Sequence, residues 1–401
     1  MSIDSILDGV RVLDVGSWVA APAAATAMAD FGADVIKIEP PQGDPFRRFM
    51  GLPGFPITED NYPWLLVSRN KRSIVLDLKS DEGYEALCRL VETADVLVTN
   101  YPPTVLTKLK MRYSDLASMN DQLIYAQLSG YGELGDEANV PAFDRSAWWA
   151  RSGMMDIVRS GDAPPSAGAP AWGDYSSSTA VFAGIMLAMY RRERTGRGSR
   201  VSTSLLANGV WANSMMLQAI LCGAKTEYEP KRSENPLPLG VPYQCEDGRW
   251  FYPWIFDVHG QWVYFLTAIG QSEMLDDPRF ADAVACHENA AETIQRLDDI
   301  FASKPWGQWQ QIFDTYDIQY MPVSSPEQVL DDPQLQANKM LLNLQSDQFK
   351  AQRTVNSPLQ VEGVSKKAPK PAPGIGQHTV DVLAEAGFTS EEIAAITEPS
   401  P

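Results

Sequence analysis

Apolar residues fall into two alternating rhythms along the first third of the chain. Arg11-Val12-Leu13-Asp14-Val15 is a short run of β-type residues. Residues 20–31 are alanine-rich and read as a helix, with Pro22 in the first turn, where its missing N–H is no loss. Gly32 stands just past the helix end, where a glycine terminator is favoured. Asp34-Val35-Ile36-Lys37-Ile38-Glu39 is the next strand. The rhythm repeats, with a strand at 73–77, a helix at 82–93, and strands at 95–100 and 123–128. Such strand–helix–strand units make a parallel sheet covered by helices the economical architecture. The expected class is α/β.

The pattern changes in the middle. Residues 225–239 are polar and proline-containing and read as a linker. Residues 241–251 read as a hairpin with Asp247-Gly248 at its turn. Helical stretches follow at 259–269, 290–303 and 306–316, and Met321-Pro322-Val323 leads back out. Residues 366–373 are rich in Lys, Pro and Ala and read as extended; a helix near 379–386 is stopped by Gly387. Thr389 and Glu392 form a capping-box pattern for a last helix. The expected domains are a large one over 1–224, a small α+β domain over 225–325, and a segment over 326–401 that returns to the large domain.

Composition narrows the classes. The chain has 401 residues, 44% of them apolar and 21% charged, enough for a substantial core. A formal charge of −18 argues against nucleic-acid or anionic-membrane partners. The richest apolar run, 181–190, is too short to span a bilayer. The first residues lack the basic and apolar regions of a signal peptide, so a cytoplasmic protein is expected. Four cysteines show no metal spacing, and the three histidines, His259, His287 and His378, give little support to histidine-based chemistry. No metal site is expected. The turn after the first strand, Gly16-Ser17-Trp18-Val19-Ala20-Ala21-Pro22, lacks the dinucleotide glycines, which argues against NAD.

Two features carry candidate chemistry. Arg69-Asn70-Lys71-Arg72 lies in a loop entering a strand, a place where α/β sheets carry ligands, and fits a phosphate-bearing molecule. Ala171-Trp172-Gly173-Asp174, followed by small and hydroxylated residues and a long helix, presents one carboxylate at a helix start. Asp174 reads either as a helix N-cap or as a nucleophile within reach of a substrate. The two roles are compatible, because a helix N-terminus favours an ionised carboxylate.

The order of motifs resembles the family III CoA-transferases, the group named after carnitine and bile-acid CoA-transferases. The carriers include Leu7-Asp8-Gly9-Val10-Arg11-Val12-Leu13-Asp14, Phe31-Gly32-Ala33-Asp34-Val35-Ile36-Lys37-Ile38-Glu39, Asn70-Lys71-Arg72-Ser73-Ile74-Val75-Leu76-Asp77, Gly173-Asp174, Thr195-Gly196-Arg197-Gly198 and Gly376-Gln377-His378-Thr379. The resemblance implies a Rossmann-like large domain and a smaller domain in an interlocked homodimer. It implies that Asp174 is the catalytic nucleophile, moving CoA from an acyl-CoA donor to a carboxylic-acid acceptor through an aspartyl anhydride and an aspartyl-CoA thioester. CoA enters as a thioester substrate, with no prosthetic group. CoA contacts carry over to Ser17, Trp18, Val19 and Ala20, to Asn70, Lys71 and Arg72, and to Lys108. Ser17 stands where formyl-CoA transferases have a histidine. Residues 233–240 are not glycine-rich as in those enzymes, which speaks against oxalate as substrate.

Residues 140–153 resemble the matching segment of bile-acid and aryl-lactate CoA-transferases, and Trp148 and Trp149 there read either as an acyl pocket or as core aromatics. The related α-methylacyl-CoA racemases use a His-Asp pair where this chain has Phe143-Asp144, so one proton-transfer group is missing. A lyase that starts from the same aspartyl-CoA thioester, and a non-catalytic acyl-CoA-binding protein, are the other readings. The donor and acceptor acids are not legible.

Overall fold

The structure is a computed structural model that describes residues 3–50, 55–225, 228, 230–255, 258–344, 346–347 and 349–397. The linker read at 225–239 contains positions outside these residues. Six strands form one parallel sheet: β1 (Arg11–Asp14), β2 (Asp34–Glu39), β3 (Arg72–Val75), β4 (Val96–Thr99), β5 (Ile124–Ser129) and β6 (Ser199–Ser204). Their order is β3-β2-β1-β4-β5-β6, with every neighbouring pair parallel. This is the Rossmann arrangement. It reverses direction between β1 and β4, and the crevice beyond the carboxyl ends of the strands there is the usual ligand position.

The central strands read as unbroken apolar runs because both sheet faces are covered. One face packs on α1 (Ala20–Asp30) and α3 (Trp172–Thr195) through residues such as Val12, Val96, Ala25, Met28 and Ile185. The other packs on α2 (Asp81–Glu92) and α6 (Thr379–Glu385) through Leu13, Ile36, Leu87, Leu90 and Leu383. β6 escapes a sequence reading because it is an outer strand with an alternating, half-exposed pattern. The outer edge of β3 is covered by the chain's last part: Gly376 N–H donates to Ser73 Oγ at 3.0 Å, and Val75 N–H donates to Thr379 Oγ1 at 3.1 Å. That disposes of an open sheet edge.

The chain divides into two compact units. The first comprises residues through Met155, Ala167–Ala224, and the chain from Ala337 onward; the second comprises Asp156–Ser166 and Lys225–Gln336. In the second, β7 (Tyr243–Gln244), β8 (Trp250–Pro253) and β9 (Tyr320–Val323) form an antiparallel sheet in the order β9-β8-β7. Residues 321–323 are thus the third strand of this unit. Pro322 is tolerated because β9 is an edge. Helices α4 (Ala290–Phe301) and α5 (Trp306–Thr315) close an aromatic core around Phe251, Phe301, Trp309 and Phe313. Among the described residues no helix is long and apolar enough to cross a membrane.

Candidate active site

The loop after β1 is built on buried charge. Lys71 Nζ donates to Asp14 Oδ2 and to the Pro22 carbonyl, each at 2.7 Å. Lys37 Nζ pairs with Asp44 Oδ2 at 2.9 Å and with Asp14 Oδ1 at 3.6 Å, and donates to the Gly16 carbonyl. Burial alone would raise the Asp14 carboxyl; Lys37 and Lys71 outweigh it and hold it below its ordinary value. Lys71 goes the other way: burial and then the like charge of Lys37 bring it down to about 8, against the pull of Asp14. Such groups persist in an interior only when they compensate each other.

This network sets the loop. Asp44 Oδ1 accepts from Trp18 N–H at 3.3 Å and Phe46 N–H at 2.9 Å. Asn100, at the end of β4, clamps Ser17 from both sides: its Oδ1 accepts from Ser17 N–H at 2.8 Å and its Nδ2 donates to the Ser17 carbonyl at 2.7 Å. Trp18 is thereby held at φ +65°, a left-handed conformation unusual for a bulky residue.

The basic cluster that follows is committed elsewhere. Arg69 is buried and forks onto Asp30 at 2.7 and 3.0 Å. Asn70 donates to Asp30 and accepts from Lys370 N–H. Lys71 is spent on Asp14, and Arg72 is divided between Asp34 at 2.6 Å and Glu385 at 2.8 Å. Asn70, Lys71 and Arg72, the run expected to meet a phosphate, thus each face a carboxylate far off in sequence. Lys108 is exposed and lines a separate cavity of about 410 Å³ with Lys79, Lys110, Ser80 and Tyr84.

Asp174 lies within the first turn of α3 and does not cap it. The cap position is Ala171, at φ +67° and with no side-chain acceptor. The cap comes from Asp144, the first residue of a π-helix over Asp144–Ala150. Its Oδ2 accepts from Ala171 N–H at 3.0 Å and its Oδ1 from Gly173 N–H at 2.7 Å. Trp148 and Trp149 of the same π-helix are buried in the core, with ring centroids 5.0 Å apart, and Trp149 reaches Trp172 at 5.9 Å. Of the two readings for this pair, the core reading is the one the structure carries.

The structure brings Asp174 together with Ser17, Trp18, Val19 and Ala20 around one cavity of about 300 Å³. Asn100 and Tyr101 after β4, Ser129 and Gly130 at the end of β5, and Phe143 and Leu205 line it as well. The cavity lies at the carboxyl ends of β1, β4 and β5, where the strand order reverses. Trp18 stands edge-on to Phe143 at 5.8 Å. Asn100 was findable, since it ends an apolar strand where sheets of this kind place functional groups. Asp144 as a partner of Asp174 had no signal in spacing.

The electrostatics differ from the sequence expectation. The Asp174 carboxyl is half-buried and is pushed up to about 7, first by burial and second by the charge of Asp144. Burial and the Asp144 charge outweigh the pull of the helix N-terminus, where Asp144 accepts the N–H groups of Ala171 and Gly173. Among the described residues, the Asp174 carboxylate accepts no hydrogen bond and makes no ion pair. A carboxylate that is unpartnered, accessible from a cavity and half-ionised near neutral pH is poised to react with an electrophile. Among the described residues no group of three or more His, Cys, Asp or Glu side chains is arranged to hold a metal ion.

Comparisons with known proteins cover nearly the whole chain. The sequence profile of CoA-transferase family III matches residues 7–379. The (R)-2-hydroxy-4-methylpentanoate CoA-transferase of Clostridioides difficile is 32% identical over 391 residues, covering 97% of each chain. The cinnamoyl-CoA:phenyllactate CoA-transferase of Clostridium sporogenes is 31% identical over 393 residues, 97% of this chain and 95% of that protein. Among solved structures, a CAIB/BAIF family protein from Brucella suis superposes with a TM-score of 0.86 at 25% identity, covering 96% of this chain and all of that one (100%).

Proposed function

This chain belongs to CoA-transferase family III, and from that premise we propose that Asp174 is the nucleophile that carries CoA between an acyl-CoA donor and a carboxylic-acid acceptor. The observation that carries this reading is the unpartnered Asp174 carboxylate lining a cavity with the Ser17–Trp18 loop at the sheet's reversal point. An Asp174 oxygen attacks the thioester carbonyl, the C–S bond breaks, and a mixed anhydride and CoA thiolate result. The thiolate attacks the aspartyl carbonyl, expels the donor acid, and leaves an aspartyl-CoA thioester. The acceptor carboxylate attacks that thioester to give a second anhydride. Thiolate attack on the acceptor's acyl carbon then releases the new acyl-CoA and frees Asp174. No proton or electron is consumed, and each step exchanges activated carboxyl groups of similar energy.

The backbone of Ser17, Trp18, Val19 and Ala20 supplies the wall against which the thioester end of CoA lies. Lys108, with Lys79 and Lys110 in its cavity, none of them in an ion pair among the described residues, offers positive charge for the CoA phosphates. Asn70, Lys71 and Arg72 serve by holding Asp14, Asp30 and Asp34 in place. The apolar lining of Trp18, Phe143 and Leu205 favours a branched or aromatic acyl group, in keeping with the acids named for the two relatives. Phe143 supplies no proton-transfer atom, which speaks against racemisation. The proposal includes an interlocked homodimer, supported by large apolar side chains exposed on successive helices, among them Leu187 at 71%, Trp211 at 79% and Met215 at 87%. It also includes a cytoplasmic location, where acyl-CoA thioesters are made and used.

Replacing Asp174 by Asn tests the assignment. Exchange should fall by roughly three orders of magnitude or more. Hydroxylamine added with acyl-CoA should leave a hydroxamate mass on Asp174 of the native protein alone. The variant should also be the more stable protein above pH 7. An acid whose folded value lies above its unfolded value loses stability as pH rises through that interval, and Asn removes the loss. Undiminished exchange in Asp174→Asn would sink the assignment.

A further inference from the structure

Asp144 is 6% exposed, and both of its carboxylate oxygens are used on the backbone at the head of α3. That helix has no cap of its own, because Ala171 is left-handed and offers no acceptor. The first N–H groups of a helix need partners, and here a carboxylate from an upstream element supplies them. Gly173 makes the contact possible: a Cβ there would stand 2.4 Å from Asp144 Oδ1 and 2.3 Å from Trp148 Cγ. A π-helix at this point is itself unusual and often marks a functional position.

We propose that Asp144 is the positioning residue of the transfer site: its carboxylate stands in for the missing cap of α3, fixes the turn that presents Asp174, and sets a fixed negative charge beside the nucleophile. The proposal rests on the reading of Asp174 as nucleophile. The charged and titratable groups that face the pair come from several elements. Asp144 and Arg145 lie on the π-helix, Tyr175 on α3, and Tyr101 on the loop after β4. Burial raises both tyrosines, so they stay neutral through the working range. Arg145 acts on Asp144. The charge that bears on Asp174 is that of Asp144. The two carboxyls are driven apart by their donors. Burial raises the Asp144 carboxyl as well, but the backbone N–H groups of Gly173, Ala171 and Asp174 pull against that rise, whereas Asp174 has no such donors, so Asp144 ionises first and Asp174 last. A carboxylate kept basic in this way is the better nucleophile towards a thioester.

The test compares native protein, Asp144→Asn and Asp144→Glu, each with ¹³C-labelled aspartate, by NMR titration of the Asp174 carboxyl and by the pH profile of kcat/KM. In native protein the Asp174 midpoint should lie near 7. In Asp144→Asn it should fall by about one unit or more. The acid limb of the pH profile should fall with it, and kcat should drop about tenfold, since Asn can accept only one of the two N–H groups. Asp144→Glu should keep the high midpoint and lose rate. A merely structural role would lower rate at every pH and leave the midpoint unmoved in folded Asp144→Asn, and that result would overturn the proposal. Full kcat in Asp144→Asn would overturn it too. If neither variant folds, the native titration decides: a midpoint at an ordinary carboxylate value defeats the proposal. The titration needs no substrate. Absent exchange with every donor would therefore count against the transferase reading of Asp174 and leave the midpoint result standing on its own.

Discussion

Gly173 precedes the reactive carboxylate for reasons of space. Its backbone is not left-handed; the left-handed residue is Ala171, two positions earlier. What Gly173 permits is contact, since its missing side chain leaves room for Trp148 and for the Asp144 oxygen that accepts its N–H. Gly173→Ala should therefore force both to move. Overpacking of this kind costs about 1–3 kcal/mol. The loss of exchange should be out of proportion to it, because the displaced group is the one that holds the Asp174 turn. Denaturant unfolding and kcat on the same preparation check this, and a variant with native stability and native kcat would contradict the packing argument. The Gly173-Asp174 pair was legible in the sequence as a place where a carboxylate meets a helix start. The identity of the cap was not, because Asp144 shares no local pattern with Asp174 and reaches it only through the packing of the π-helix.

At the scale of elements, the strands and helices around the site follow from apolar periodicity, and the polar residues inside them do not. Val12-Leu13 and Val35-Ile36 announce buried strands, yet nothing in spacing says that Asp14 and Lys37 at the ends of those runs are fully buried and share partners with Asp44 and Lys71. Nor does spacing say that Arg69 and Arg72 are paired with Asp30, Asp34 and Glu385. The network's purpose is visible in the loop it holds. Ser17 is fixed by two hydrogen bonds from Asn100, and Trp18 is kept in a conformation that costs roughly 1–2 kcal/mol for a residue with a Cβ. Asn100→Ala removes both bonds and should let the loop relax towards ordinary dihedrals. The wall of the cavity then loses its shape while Asp174 and Asp144 keep theirs. The expected result is a KM for acyl-CoA raised about tenfold, with a much smaller change in kcat. A fall in kcat at constant KM would instead place Asn100 in the chemistry.

At the scale of the whole molecule, the two units carry separate hydrophobic cores, and their boundaries show which long-range facts escape a sequence reading. The change to polar residues after Ala224 marks the longer passage into the second unit. The inclusion of Asp156–Ser166 has no compositional mark; it follows from contacts such as the Tyr228 hydroxyl donating to Asp156 at 2.8 Å and the Arg159 guanidinium 4.1 Å above the Tyr228 ring. The pairing of Tyr320–Val323 with Trp250–Pro253 likewise closes a sheet across four intervening α-helices, a contact no local window contains. Once closed, that unit encloses its own aromatic core, with Phe251, Phe301, Trp309 and Phe313 each fully buried. Such a core should unfold as a unit of its own. Calorimetry of the intact protein should therefore resolve two transitions. Trp309→Ala, which empties a site of zero exposure at a cost of about 3–5 kcal/mol, should lower one of them by several degrees and leave the other in place. The unmoved transition would then belong to the six-stranded sheet and its cavity, where an Asp174-directed acyl-CoA analogue should raise it selectively by binding only the folded form. A single transition that shifts as a whole in Trp309→Ala would mean that the two cores stand or fall together.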